Sequence, residues 1–278
     1  MISALAFESA GRRVGSLSLN IIRLVMGFAI LTFYAALVRP TALPFDASPH
    51  AWGWLSVSGL IGFVIGDYCL FRAFVEIGPR LSSLLMTSTP IWAAIIGLLV
   101  LGESMTAMQV GAMALVVSGI AWAVRDRHPD DPRPRPQPKG IAFAILGSIG
   151  QAAGLILSKL GMGDYDPFAA TQIRVIAGIV GFAAVCTFSG WWPKVGAALR
   201  DKGAMVATLI GAIFGPFLGV ALSLISVQRA TNAGVAATLM SVTPVLLIPV
   251  VMIRGERVGI GAILGTLIAV AGSALLFL

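Results

Sequence analysis

The stretch SLLMTSTP, Ser83–Pro90, returns as ATLMSVTP, Ala237–Pro244. Both place a Met, a run of hydroxyl side chains and a Thr-Pro step inside an apolar surround. Working outward, NIIRLVMG (Asn20–Gly27) is echoed by TQIRVIAG (Thr171–Gly178). Gly62 and Gly66 recur 153 residues later as Gly215 and Gly219, Gly102-Glu103 as Gly255-Glu256, and Gly119 as Gly272. Several matches in one order are not produced by apolar composition alone, so the chain reads as an internal duplication.

The repeated unit is a membrane unit. Of 278 residues, 58% are hydrophobic, 32 more are glycine and only 11% are charged, with a mean hydropathy of +0.94. A water-soluble domain carries about 25% charge, so this chain lacks the polar surface to cover a soluble globule. Runs free of Asp, Glu, Lys and Arg, such as 81–102, 140–158, 203–228 and 258–278, are long enough to cross the bilayer as helices. Helices are expected at 16–38, 52–75, 81–102, 106–124, 140–160, 167–189, 203–227, 234–253 and 258–278, after a short N-terminal piece at 1–10. The fold class is all-α: a polytopic membrane protein, a ten-helix bundle from two inverted five-helix repeats.

The repeats divide at 1–124 and 140–278, with a Pro/Arg-rich linker at 125–139. That linker, RDRHPDDPRPRPQPK, holds five prolines and eight charges and cannot bury enough apolar area to fold. Aligning Arg23 with Arg174 sets Met1 opposite Ala152. The first helix of repeat one is therefore truncated relative to its partner, and a start upstream of Met1 is expected.

Five helices per repeat force the copies into opposite orientations. One set of loops holds Arg12, Arg13, Arg80, Arg125, Arg127, Arg133, Arg135, Lys139, Lys194, Arg200, Lys202, Arg254 and Arg257, and the other only Arg39 and Arg229. Basic loops stay inside, so a multi-pass protein of the cell membrane is expected, with linker 125–139 cytoplasmic and the C-terminus outside.

Two five-helix halves, each with Met-x-x-Thr-Pro followed by Gly-Glu, resemble the EamA domains of the drug/metabolite transporter superfamily. The resemblance rests on Arg23, Gly66, Ala73, Thr89-Pro90, Gly102-Glu103 and Gly119 in the first half. In the second it rests on Arg174, Gly219, Thr243-Pro244, Gly255-Glu256 and Gly272. It implies an exporter or exchanger of small metabolites with a central cavity between repeats.

Candidate functional residues follow from what a bilayer penalises. A charge inside it costs about 2.5–3.5 kcal/mol on insertion scales. Asp67, beside Tyr68, is the deepest acid; it serves proton coupling, a cationic substrate group, or an ion pair with Arg72. Arg72, Glu76 and Arg80 form a helix-end stripe. Glu8 and Lys159 occupy equivalent places, as do Arg23 and Arg174: either structural pairs (Glu8–Arg23, Lys159–Asp164) or a grip on a zwitterion. Gln151 needs a partner that a cavity would supply. Pro90 and Pro244 each free a backbone carbonyl, with Thr87, Ser88 and Thr89, and Ser241 and Thr243, at hand to satisfy it; these segments are tolerated kinks, hinges or cavity walls. Trp92 offers an aromatic wall or a packing surface. Gly62/Gly66 and Gly215/Gly219 form small-residue ladders for static packing or for sliding during gating, and Gly261/Gly265 a shorter one. A small-molecule substrate, the lipid bilayer and protons as coupling ion are the expected partners, without nucleic acid, in a monomer or homodimer.

Cys69 and Cys186 sit in apolar runs and His50 and His128 in separate loops, so neither disulfide, metal nor cofactor is expected. No enzyme motif of the Gly-x-Ser-x-Gly, His-Glu-x-x-His or phosphate-loop kind is present. A membrane-embedded scaffold or a passive channel is the alternative to a carrier.

Overall fold

The computed structural model describes residues 2–101, 106–126, 137–229, 243–253 and 258–275. Ser241, Glu103, Glu256 and most of the linker lie outside them. Every regular element among the described residues is helical.

In chain order these are α1 (Ile2–Val14), α2 (Ser16–Val38), α3 (Pro49–Gly59), a π-helix π1 (Leu60–Asp67), α4 (Tyr68–Leu85), a 3₁₀ turn (Met86–Ser88), α5 (Thr89–Leu101) and α6 (Ala107–Arg125). Then come α7 (Pro138–Met162), α8 (Pro167–Phe188), α9 (Trp192–Ala198), α10 (Lys202–Ala212), a second π-helix π2 (Ile213–Val220), α11 (Ala221–Arg229), α12 (Thr243–Ile253) and α13 (Ile260–Leu275). The N-terminal piece is thus a helix to Val14, longer than expected. It stops at Gly15, whose φ of 81° suits only glycine. The linker's ends are helical at Arg125, Pro138 and Lys139, because proline suits the first helical turn.

The segment from Pro49 to Val100 is apolar throughout, yet it is two passes. Gly78 breaks it at φ 80°, ψ 164°, and Pro79 restarts it. Proline at the first position of a new helix has no amide to lose, and the residue before it is kept out of helical conformation.

The repeats share more than sequence. Ser48 caps α3 through the Ala51 amide, and Asp201, 153 residues on, caps α10 through the Ala204 amide. Eleven helical residues follow each cap, then eight π residues, again 153 apart. π-helices are rare and concentrate at functional places, so two in matched register mark this depth of the bundle.

α8 is the most enclosed span, 56% buried, and α6 the least, at 22%. α8 packs on α2 and α3 at the centre, around Leu24, Phe63, Val175 and Phe182. α6 lies at the edge, pressed backbone to backbone against α13. A Cβ on Gly119 would stand 2.6 Å from the Gly265 carbonyl oxygen, and one on Gly265 as close to that of Gly119. Gly265 is therefore spent on an internal contact.

Candidate functional site

A cavity of about 450 Å³ lies where the two repeats meet. π1 contributes Phe63 and Asp67, α2 Arg23, and α7 Gln151 and Leu155. π2 supplies Phe214, Gly215, Pro216, Gly219 and Val220, and α1 closes a side with Phe7. The kinked segment adds Met86, Thr87, Thr89 and Pro90, and α12 adds Thr243.

Its polar floor is a chain of buried groups. Asp67 accepts from Arg23 Nη2 through one oxygen and from Gln151 Nε2, at 2.5 Å, through the other. Gln151 also reaches the Gly62 carbonyl at 3.2 Å. Arg23 Nε donates to Asn20 Oδ1 at 3.0 Å, and its guanidinium lies 4.6 Å from the Phe71 ring centre. Ionised groups survive out of water when paired and hydrogen-bonded, and each member here holds the next. Arg174 stands just behind this chain. It is buried, its guanidinium 5.0 Å from the Phe63 ring centre, and its Nε has no partner among the described residues.

Two pairings expected from sequence are corrected. Asp67 does not pair with Arg72; Arg72 bonds Glu76 at 3.1 Å instead, one helical turn away on the same face. Glu8 pairs with Arg12, leaving Arg23 for Asp67. A third, Lys159–Asp164, does not occur: Lys159 points to the exterior, away from the cavity. Tyr68 packs against the central apolar cluster, and Trp92 keeps a buried indole N–H without a partner among the described residues; neither lines the cavity.

The proline kink is satisfied locally. Pro90 frees the Met86 carbonyl, and the Thr89 hydroxyl takes it at 2.7 Å. Thr87 and Ser88 donate in the same way to Leu84 and Leu85 carbonyls, at 2.6 and 2.7 Å. Thr87, Thr89 and Pro90 nevertheless face the cavity, so the kink is both balanced and a wall. Pro244 holds the matching place in α12.

The glycine ladders part company. Gly62 and Gly66 are closed against α7, where a Cβ on Gly150 would stand 2.7 Å from Gly66 Cα and one on Gly154 3.0 Å from Gly62 Cα. Gly215 and Gly219 line open space. The Phe7 ring sits beside Gly215 and fills part of the gap. One ladder seals; its counterpart bounds the cavity.

Each face of the bundle carries a polar clasp. On one, Arg13 meets Asp201 at 2.9 Å, joining α1 to α10. On the other, Arg39 reaches Asp46 at 2.6 Å and Asp166 at 3.7 Å, while the Tyr165 hydroxyl donates to Asp46 at 2.8 Å. Burial, and then the bond to Asp46, pushes the Tyr165 phenol up to about 12.

Two halves meeting at a shared cavity are what the family comparison finds as well. The profile of the EamA-like transporter family matches residues 2–125 and 138–278. The chain belongs to that family. It is thus a multi-pass membrane protein of a transporter family, built from two EamA repeats. One crystal structure matches over 99% of this EamA-like chain and 91% of its own length, at 16% identity and a TM-score of 0.55, which shows a shared fold. No curated protein matches it.

Proposed function

We propose that this EamA-like protein is a secondary carrier. It moves a small metabolite, an amino acid or related zwitterion, across the cell membrane by alternating access, as an exporter or exchanger. The observation that carries the reading is the cavity of about 450 Å³ between repeats, floored by Arg23, Asp67 and Gln151. Small-molecule sites typically span roughly 300–1,000 Å³ and combine an apolar lining with a few placed polar groups. Inverted repeats supply two related packings around one such site. The clasp at Arg39 and the clasp at Arg13 then act as alternate closures, and linker 125–139 faces the cytoplasm. Protons entering through Asp67 are the proposed coupling ion. Asp67, Thr87, Thr89, Gln151 and Thr243 contact substrate, and Pro90, Pro244, Gly215 and Gly219 serve as the moving elements.

Counterflow in liposomes tests this. A carrier preloaded with unlabelled substrate accumulates labelled substrate transiently. Flux without saturation or counterflow would indicate a channel, and no flux with any metabolite that the protein binds a scaffold.

A further inference from the structure

The two repeats place an arginine at matched positions, Arg23 on α2 and Arg174 on α8, but an acid at only one. Asp67 closes π1, and the matched residue closing π2 is Val220. Both guanidiniums are buried, at 3% and 4% exposure. Arg23 holds Asp67 directly, whereas Arg174 only feels the charge of Asp67 and has no ion pair among the described residues. The cluster therefore sums to two cations and one anion. Aromatic faces supply part of the compensation: Phe63 for Arg174, and Phe7 and Phe71 for Arg23. A ring quadrupole is not a counter-ion, and the centre stays one negative charge short.

We propose that the substrate brings the missing charge: the transported molecule carries a single carboxylate, received in the cavity beside Arg23 and Gln151. This rests on the carrier reading above and narrows it. The deficit is one unit, which a carboxylate fills and a phosphate monoester, at about −1.5 to −2, overshoots. A guanidinium fork fits the plane of a carboxylate with two parallel hydrogen bonds. The rest of the lining has the complementary character. Thr87 and Thr89 have already donated their hydroxyl protons to the Leu84 and Met86 carbonyls. They turn only lone pairs to the cavity, a wall that accepts N–H groups.

The test uses the purified full chain and a panel of amino acids, each set against its own carboxamide, read by thermal shift. Compounds that stabilise the protein are expected to lose at least tenfold in apparent affinity when the carboxylate becomes an amide. The variant Val220→Asp supplies repeat two with the acid it lacks. It is expected to keep the wild-type melting temperature or exceed it while losing carboxylate affinity at least tenfold. Val220→Asn, of the same shape without the charge, retains affinity within about threefold. Carboxamides binding as tightly as the acids would overturn the proposal, on wild-type protein alone. So would Val220→Asp binding carboxylates like wild type, or Val220→Asn losing as much as Val220→Asp. Counterflow of the stabilising compounds separates the two readings. Counterflow of amides in preference to acids sinks the carboxylate and spares the carrier. Carboxylate binding without flux does the reverse.

Discussion

Pro216 of π2 seats against Gly27 of α2, its ring carbon 2.9 Å from where a Cβ on that glycine would stand. Phe63 of π1 meets Gly178 of α8 in the same manner, at 3.1 Å. Each contact presses the π-helix of one repeat onto the second helix of the other, so the junction around the cavity is held twice.

Filling one of those notches should loosen it. A proline ring cannot swing aside, so Gly27→Ala is expected to lower stability by roughly 1–3 kcal/mol, the usual range for overpacking. Gly53→Ala, on a face where an added Cβ meets nothing within 4 Å, should leave the melting temperature unchanged or raised. Melting in detergent compares the two.

Asp67→Asn removes the counter-ion of a buried arginine. Breaking such a pair from one side is expected to destabilise by about 3–5 kcal/mol. Replacing both members, Asp67→Leu with Arg23→Met, should recover most of the stability and none of the transport. Where Asp67→Asn protein can be reconstituted, its flux should lose the wild-type pH dependence; unchanged rate and pH profile would free Asp67 from coupling.

The clasp at Arg13 carries an acid-sensitive component. The Ala204 amide, and then the Arg13 guanidinium, hold the Asp201 carboxyl below the usual carboxylate range. A folded-state value below the unfolded one gives stability that is complete above the unfolded pKa and fades as pH falls through the folded one. Acid titration of the melting temperature should therefore be shallower for Asp201→Asn than for wild type below about pH 4.

The opposite clasp should govern access. Arg39→Gln removes the cation shared by Asp46 and Asp166. Partly exposed pairs are worth up to about 1 kcal/mol, so an engineered Leu155→Cys in the cavity should be labelled up to about fivefold faster by an impermeant maleimide. Equal rates in both backgrounds would remove Arg39 from gating.

Most of the architecture could be read from the residues. The 153-residue recurrence of Gly62/Gly66 at Gly215/Gly219 marks the two π segments, although no spacing rule distinguishes a π turn from an α turn. The break before Pro79 and the limits of α2 follow from local chemistry. The polar floor was less legible. Asp67 was weighed against Arg72, five residues away, while its partners Arg23 and Gln151 lie 44 and 84 residues distant. Side chains within one helix are related by its pitch; partners on different helices are set by packing, which a single sequence does not display. Lys159 illustrates the converse, since a matched position in the repeat did not bring it to the shared centre.

The widened turns also date themselves. A π turn arises when a helix accommodates one additional residue, and both halves accommodate it at the same step. The accident therefore preceded the copying: a lone ancestral module already carried that dislocation, and doubling the gene inherited it twice rather than inventing it anew.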